Sequence, residues 1–209
     1  MNNDVPLLVH VVDDDGSSRS ALGRLLRGVG YEVVEYASAA DFQQRPRTER
    51  TECAVIDVQL PGVTGLDLQQ VLADSHDPIP IVFLTGHGDI SMSVQAMKSG
   101  AIDFLTKPAD PRALLQAVGR ALAQSRGTRE QAARLQDLRT RFARLTSRER
   151  EVFAYVVSGK LNKQIAAEIG TTERTVKAHR QQVMEKMEAN SVADLVHMAH
   201  ALQLFSENS

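Results

Sequence analysis

Apolar residues are distributed along this chain in two different ways. In the first half they gather in short unbroken runs: Leu7–Val12, Val33–Tyr36, Ala54–Ile56, Ile79–Leu84 and Ile102–Leu105. These runs are rich in Val, Ile and Leu and lack period-two alternation, the pattern of strands buried on both faces. Between them apolar positions recur at helical spacing. Leu22, Leu25, Leu26 and Val29 follow i, i+3, i+4, i+7 behind the capping candidates Ser17 and Ser18. Leu66, Leu68, Val71 and Leu72 predict a second helix, Val94, Met97 and Ala101 a third, and Leu114, Leu115, Val118 and Leu122 a fourth; a short one is expected over 38–45. The alternation predicts an α/β doubly wound parallel sheet of five strands with right-handed crossovers.

From Thr146 onward no strand pattern remains, and the chain reads as a separate all-α unit of four helices. Thr146-Ser147-Arg148-Glu149 has capping-box spacing. Val152, Phe153, Val156 and Val157 form the core face behind it, and Gly159 ends the helix. Asn162 is the expected cap of the next helix, with Ile165, Ala166 and Ile169 inside and Gly170 after it. Thr172 caps a third helix running to about Met187, and Val192, Leu195, Val196, Ala199 and Leu202 mark a fourth. Residues 123–144 are rich in Arg, Gln and Ala and read as an exposed helical connector, weakened near Gly127. Leu135, Leu138, Phe142 and Leu145 give it a narrow apolar stripe. The expected division is 1–124, a linker over 125–143, and 144–209.

Charge sharpens this division. The net −2 conceals −8 over residues 1–111, +6 over 112–145 and zero over 146–209, as expected for separate units. The rest of the composition mainly excludes. A single cysteine, Cys53, rules out a disulfide framework and a Cys-based zinc site. No apolar run approaches the roughly 18 residues of a membrane span. The N-terminus lacks the basic segment of a signal peptide, so a cytoplasmic protein without a membrane partner is expected.

The residues at the carboxyl ends of the expected strands share one chemistry, and ligands of open parallel α/β sheets bind there. The first strand ends in Asp13-Asp14-Asp15, the third in Asp57, the fourth in Thr85 and the fifth in Lys107. Converging carboxylates repel unless a cation compensates them. A hard divalent ion such as Mg²⁺ takes oxygen ligands, and Lys107 adds a second positive charge. A lone Asp would serve as a helix cap; polar groups at four strand ends together point to a site.

Val11-Val12-Asp13-Asp14-Asp15, Ile56-Asp57-Val58-Gln59-Leu60-Pro61-Gly62 with Gly65, Leu84-Thr85-Gly86 and Lys107-Pro108 resemble the receiver domain of bacterial two-component response regulators. The resemblance covers residues 5–125 and implies a flavodoxin-like fold. It implies that Asp57 accepts a phosphoryl group from a sensor histidine kinase. Mg²⁺ would be held by Asp14, Asp57 and the main-chain carbonyl of Gln59, with Asp13 acting through water. Lys107 would offset charge on the phosphoryl group and the Thr85 hydroxyl would donate to it. The aromatic switch position, often Tyr in the family, is Phe104 here, so any switch would rest on packing. Ser91–Ala101 and the following strand would form the surface that responds to phosphorylation, and a phosphorylated homodimer would pair through the helix around Ile90–Ser99 and the strand Ile102–Thr106. His87, two residues past Thr85, lies near the pocket without an assigned role.

In the last part of the chain, the two central helices read as a helix-turn-helix. Arg174, Lys177, Ala178 and Gln181 follow i, i+3, i+4, i+7 opposite the inward Val176 and Val183. Such a helix fits a DNA major groove, where Lys and Gln bond base edges and Ala touches a thymine methyl. Lys163, Thr175, His179 and Arg180 are candidate phosphate contacts. Leu145–Val152, Gly159, Asn162-Lys163-Gln164-Ile165-Ala166, Thr175-Val176-Lys177-Ala178-His179-Arg180 and Lys186-Met187 resemble the LuxR/NarL-type DNA-binding domain. Both halves together resemble FixJ-type transcriptional response regulators. The resemblance implies double-stranded promoter DNA and RNA polymerase as partners and no enzymatic turnover beyond the receiver's own phosphorylation and dephosphorylation. Two other readings compete. A Mg²⁺-dependent phosphohydrolase using Asp57 would want a carboxylic acid where Gln59 stands. A receiver adaptor would carry a protein- or RNA-binding output.

Overall fold

Five strands form among the described residues, β1 (Leu8–Val12), β2 (Glu32–Tyr36), β3 (Glu52–Asp57), β4 (Ile81–Thr85) and β5 (Asp103–Thr106). The structure, a computed structural model, describes residues 7–75, 77, 79–86 and 90–204. All strand pairs are parallel, in the order β2-β1-β3-β4-β5. The order reverses between β1 and β3, and the crevice beyond their carboxyl ends is the binding position of such sheets. Register brings Val12 level with Ile56 and Asp57 level with Leu84, so Asp13 and Asp57 emerge side by side.

Helices α1 (Gly16–Gly28), α2 (Ala39–Gln43), α3 (Gly65–Asp74), α4 (Ile90–Lys98) and α5 (Pro111–Ala143) alternate with the strands. One sheet face buries Val12, Ile56 and Phe83 with Phe42, Leu68 and Ala96. The other buries Val9, Val55, Val82 and Leu84 with Leu26, Leu114 and Val118. Only β1, β3 and β4 are buried on both faces; β2 and β5 are half exposed. The sequence pattern did not separate these edge strands from the central ones, because edge strands still cover one core face.

Two further expectations are corrected, the cap of α1 and the weakening at Gly127. The cap of α1 is Asp15, whose side chain accepts from Ser18 N at 2.6 Å, rather than Ser17 or Ser18. Val94 and Met97 on α4 stand in solvent beside Ile90, which is 81% exposed, and the buried position is Ala96. The helix through Gly127 is unbroken, since α5 runs from Pro111 to Ala143. A glycine inside a helix costs only about 1 kcal/mol, which its Ala- and Arg-rich neighbours offset. Near the amino ends of the strands, α5 is anchored to β3. Glu52 accepts from Arg129 at 2.8 Å and lies 3.0 Å from His10 Nε2, and its own N–H donates to Ser125 Oγ at 3.2 Å.

Contacts divide the chain into Met1–Arg129 and Glu130–Ser209. The second unit packs the end of α5 with α6 (Ser147–Val157), α7 (Asn162–Glu168), α8 (Glu173–Met187) and α9 (Val192–Ala201). Phe153, Ile165, Val176, Val183, Met187 and Leu195 are its buried centre, and Phe142 meets Phe153 edge-on with ring centroids 5.4 Å apart. The expected capping box forms: Thr146 N donates to Glu149 Oε2 at 2.8 Å and Glu149 N to Thr146 Oγ1 at 3.3 Å. Thr172 caps α8 as expected. Asn162 does not cap α7. Leu161 is the cap residue and Asn162 the first helical residue, so its side chain is free to accept from Arg180 Nη1 at 2.8 Å. On α9 Leu195 and Ala199 are buried, while Val192 and Val196, which mark the same helix, are exposed.

Candidate functional site

The carboxyl ends of β1 and β3 deliver Asp13, Asp14 and Asp57 to one place, with one carboxylate oxygen of each within 4.8 Å of the others. Lys107, just past β5, crosses to them. Its Nζ donates to Asp13 Oδ2 at 2.7 Å and to Asp57 Oδ2 at 2.5 Å. Burial pulls the Lys107 ammonium down, but its hydrogen bonds to Asp13 and Asp57 outweigh this and hold it above its ordinary value. Thr85, the last residue of β4, is fully buried. Its carbonyl accepts from Lys107 N at 2.7 Å, which ties the fourth strand end to the fifth.

The three carboxylates differ in what holds them. Asp13 is buried and held by three hydrogen bonds: Oδ1 accepts from Asp15 N at 3.0 Å, and Oδ2 from Ser18 Oγ and Lys107 Nζ, each at 2.7 Å. Asp57, 7% exposed, takes Gln59 N on Oδ1 at 2.9 Å and Lys107 on Oδ2. Asp14 is exposed. This all-oxygen set with one open carboxylate fits a hard divalent cation that retains waters. Gly65 makes the approach of α3 feasible, because a Cβ there would meet the Asp57 carbonyl oxygen at 2.6 Å. Phe104 is half-buried, its ring 6.3 Å from that of Phe83. His87 lies outside the described residues.

Sequence reasoning missed two groups behind the acidic cluster. Ser18 was read as a cap candidate, yet its hydroxyl holds Asp13. Arg19 Nη1 donates to the main-chain carbonyl of Asp13 at 2.6 Å and lies 3.4 Å from that of Asp14. A basic residue four positions past an acidic run was the available signal, and it is weak, because such residues are common on helix surfaces.

In the second unit, α8 presents Arg174, Lys177, Ala178 and Gln181 to solvent, and Lys163 stands exposed on α7. Thr175, His179 and Arg180 are half-buried. Thr175 is engaged at the start of α8, its Oγ1 3.0 Å from Thr172 Oγ1, and Arg180 ties α8 to Asn162. Leu161, Asn162, Lys163, Glu173, Lys177 and Arg180 line an open hollow of about 510 Å³ beside this face. Lys186 Nζ donates to both oxygens of Glu149, at 2.8 and 2.6 Å, bracing the start of α6 against the end of α8. Those bonds, with that from Thr146 N, hold the Glu149 carboxyl below the usual carboxylate range.

Comparison with known proteins matches both halves. Residues 9–119 match the response regulator receiver domain, and residues 143–199 match the bacterial regulatory proteins of the luxR family. Nodulation protein W of Bradyrhizobium diazoefficiens is 46% identical over 97% of this chain and 89% of its own length. The transcriptional regulatory protein FixJ of Azorhizobium caulinodans is 40% identical over 92% of each chain. Among solved structures, the response regulator StyR superposes with a TM-score of 0.85 at 43% identity, covering 94% of this chain and 99% of its own.

Proposed function

From the premise that this chain belongs to the two-component response regulators, a receiver domain joined to a LuxR-family DNA-binding domain, we propose that Asp57 is its phosphoacceptor and that phosphorylation controls promoter binding. The observation that carries the assignment is the contact of Asp57 with Lys107 beside the open carboxylate of Asp14. A carboxylate oxygen of Asp57 attacks the phosphorus of a phosphohistidine on the sensor kinase. The phosphorus–nitrogen bond breaks, the imidazole leaves, and an acyl phosphate forms. Asp14 and Asp57 with the main-chain carbonyl of Gln59 would hold Mg²⁺, and Asp13, its oxygens already bonded, would reach it through water. When bound, Mg²⁺ supplies charge neutralisation and orientation for the phosphoryl oxygens. Lys107, released from Asp57 as that carboxylate loses its charge, pairs with the phosphoryl group. Thr85 turns its hydroxyl toward the same group, and Phe104 moves into the space this opens.

The output side of the reading has its own support. Ile90, Val94 and Met97 are apolar and exposed on α4, which suits a face that pairs two phosphorylated copies. Two recognition helices then match a two-fold operator. Lys177, Ala178, Gln181 and Arg174 read bases, while Lys163, Thr175, His179 and Arg180 contact phosphates. RNA polymerase is the partner that a promoter-bound dimer meets next. No helix among the described residues is long and apolar enough to cross a membrane, and we place the protein in the cytoplasm as a regulator, not a turnover enzyme. The test is mass spectrometry after acetyl phosphate and Mg²⁺. One base-labile adduct is expected on the parent and none on Asp57→Asn; equal labelling of both overturns the assignment.

A further inference from the structure

We infer that Arg19 is a positioning residue for the cation at the phosphoacceptor pocket, clamping the loop between β1 and α1 that carries Asp13 and Asp14; this rests on the metal-site reading above. The loop packs three carboxylates into three consecutive residues, and each is fixed differently. Asp13 is held by Ser18, Lys107 and Asp15 N, and Asp15 is held as the cap of α1. Asp14 is exposed, and the contact that bears on its position is the one its main chain makes with Arg19. One guanidinium nitrogen, Nη1, reaches the two successive carbonyls of Asp13 and Asp14 while Nε faces Glu35, a division of donors that a point-like ammonium does not offer.

Arg19 is itself held. Its Nε lies 3.9 Å from Glu35 on β2, and Glu35 pairs with Arg27 at 2.8 Å. Gly23 on α1 leaves the room in which Glu35 and Arg27 meet, because a Cβ there would collide with the Glu35 carboxylate. The arrangement runs from β2 through Glu35 and Arg19 to the loop carbonyls. Partners of this kind, one shell behind the ligands, set metal affinity by fixing ligand direction. Field and geometry predict opposite signs here. Removing a nearby positive charge favours a dication electrostatically, whereas releasing the loop disfavours it.

The experiment follows melting temperature of the full chain against MgCl₂ concentration, since a ligand that binds only the folded state stabilises it by mass action. Parent, Asp14→Asn, Arg19→Ala, Arg19→Lys and Arg24→Ala are compared. We expect Arg19→Ala to need about 10-fold more Mg²⁺ or greater for the same shift. Arg19→Lys should fall between it and the parent, and Arg24→Ala, which removes an exposed arginine of the same helix outside the described arrangement, should titrate like the parent. If Arg19→Ala does not fold, Arg19→Lys carries the test. A merely structural role lowers the melting temperature without Mg²⁺ and leaves the Mg²⁺ requirement unchanged, which overturns the inference. Tighter binding by Arg19→Ala, or an equal change in Arg24→Ala, also overturns it. A parent with no Mg²⁺ response, or Asp14→Asn responding fully, overturns the metal-site reading itself and this inference with it.

Discussion

The acidic pocket at the strand ends and the exposed face of α8 are built on opposite plans. In the pocket, Asp13, Asp57 and Lys107 are joined to one another and to the backbone, and they are wholly or largely buried. On α8, Arg174, Lys177 and Gln181 stand in solvent, and what is fixed is the helix beneath them, through Val176, Val183, Met187 and the Glu149–Lys186 brace. Chemistry at an atom needs preorganised side chains. Reading a groove needs a preorganised backbone whose side chains can adapt. A pocket substitution should therefore act locally and severely, whereas one on the helix face should act by degrees.

The largest expected effect separates the two units. Phe153→Ala should cost about 3–5 kcal/mol in the helical unit. DNA binding should be lost while acyl-phosphate formation on Asp57 continues in the same chain. Loss of both activities would mean that the pocket depends on the helical core, and the contrast would break.

The next effect sets the units apart by pH. The Lys107 pKa is raised in the folded state, so its contribution is fully present below the unfolded value of about 10.4 and is lost as pH rises through the folded value. The Glu149 pKa is lowered, so its contribution is present above the unfolded value of about 4.3 and is lost as pH falls through the folded value. Thermal melts across pH should show Lys107→Met flattening the alkaline limb and Glu149→Gln the acid limb. An exchange of the two limbs would contradict the bonding described for both sites.

Smaller effects probe the helix face itself. Lys177→Ala and Gln181→Ala should each relax base preference at one position by about 1–3 kcal/mol in a binding-site selection. Arg180→Ala should weaken binding evenly across sequences and flatten its salt dependence. An unchanged selected motif for Lys177→Ala would remove Lys177 from the groove.

Much of this was legible in the sequence, and the misses have physical causes. The acidic strand ends, Lys107 and the Thr146–Glu149 capping box carry strong local signals, because turn and strand-end chemistry tolerates few residues. Val94, Met97, Val192 and Val196 mark their helices by spacing yet stand exposed, because periodicity reports an apolar face, not what covers it. Arg19 and the Glu52 contacts with His10 and Arg129 join residues distant in sequence, or side chain to main chain, and no spacing rule encodes either. Asn162 has the composition of a cap but serves Arg180 instead, a tertiary demand overriding a local preference.

The central claim is that one acyl phosphate on Asp57 turns the solvent-facing α8 helices into a paired DNA reader. The most direct measurement is the affinity of the full chain for one operator, selected from genomic DNA, before and after acetyl phosphate with Mg²⁺, with molar mass followed by light scattering. We predict tighter binding after phosphorylation, a mass moving toward the dimer, and neither change in Asp57→Asn. Equal affinity before and after, with both forms monomeric, would contradict the account.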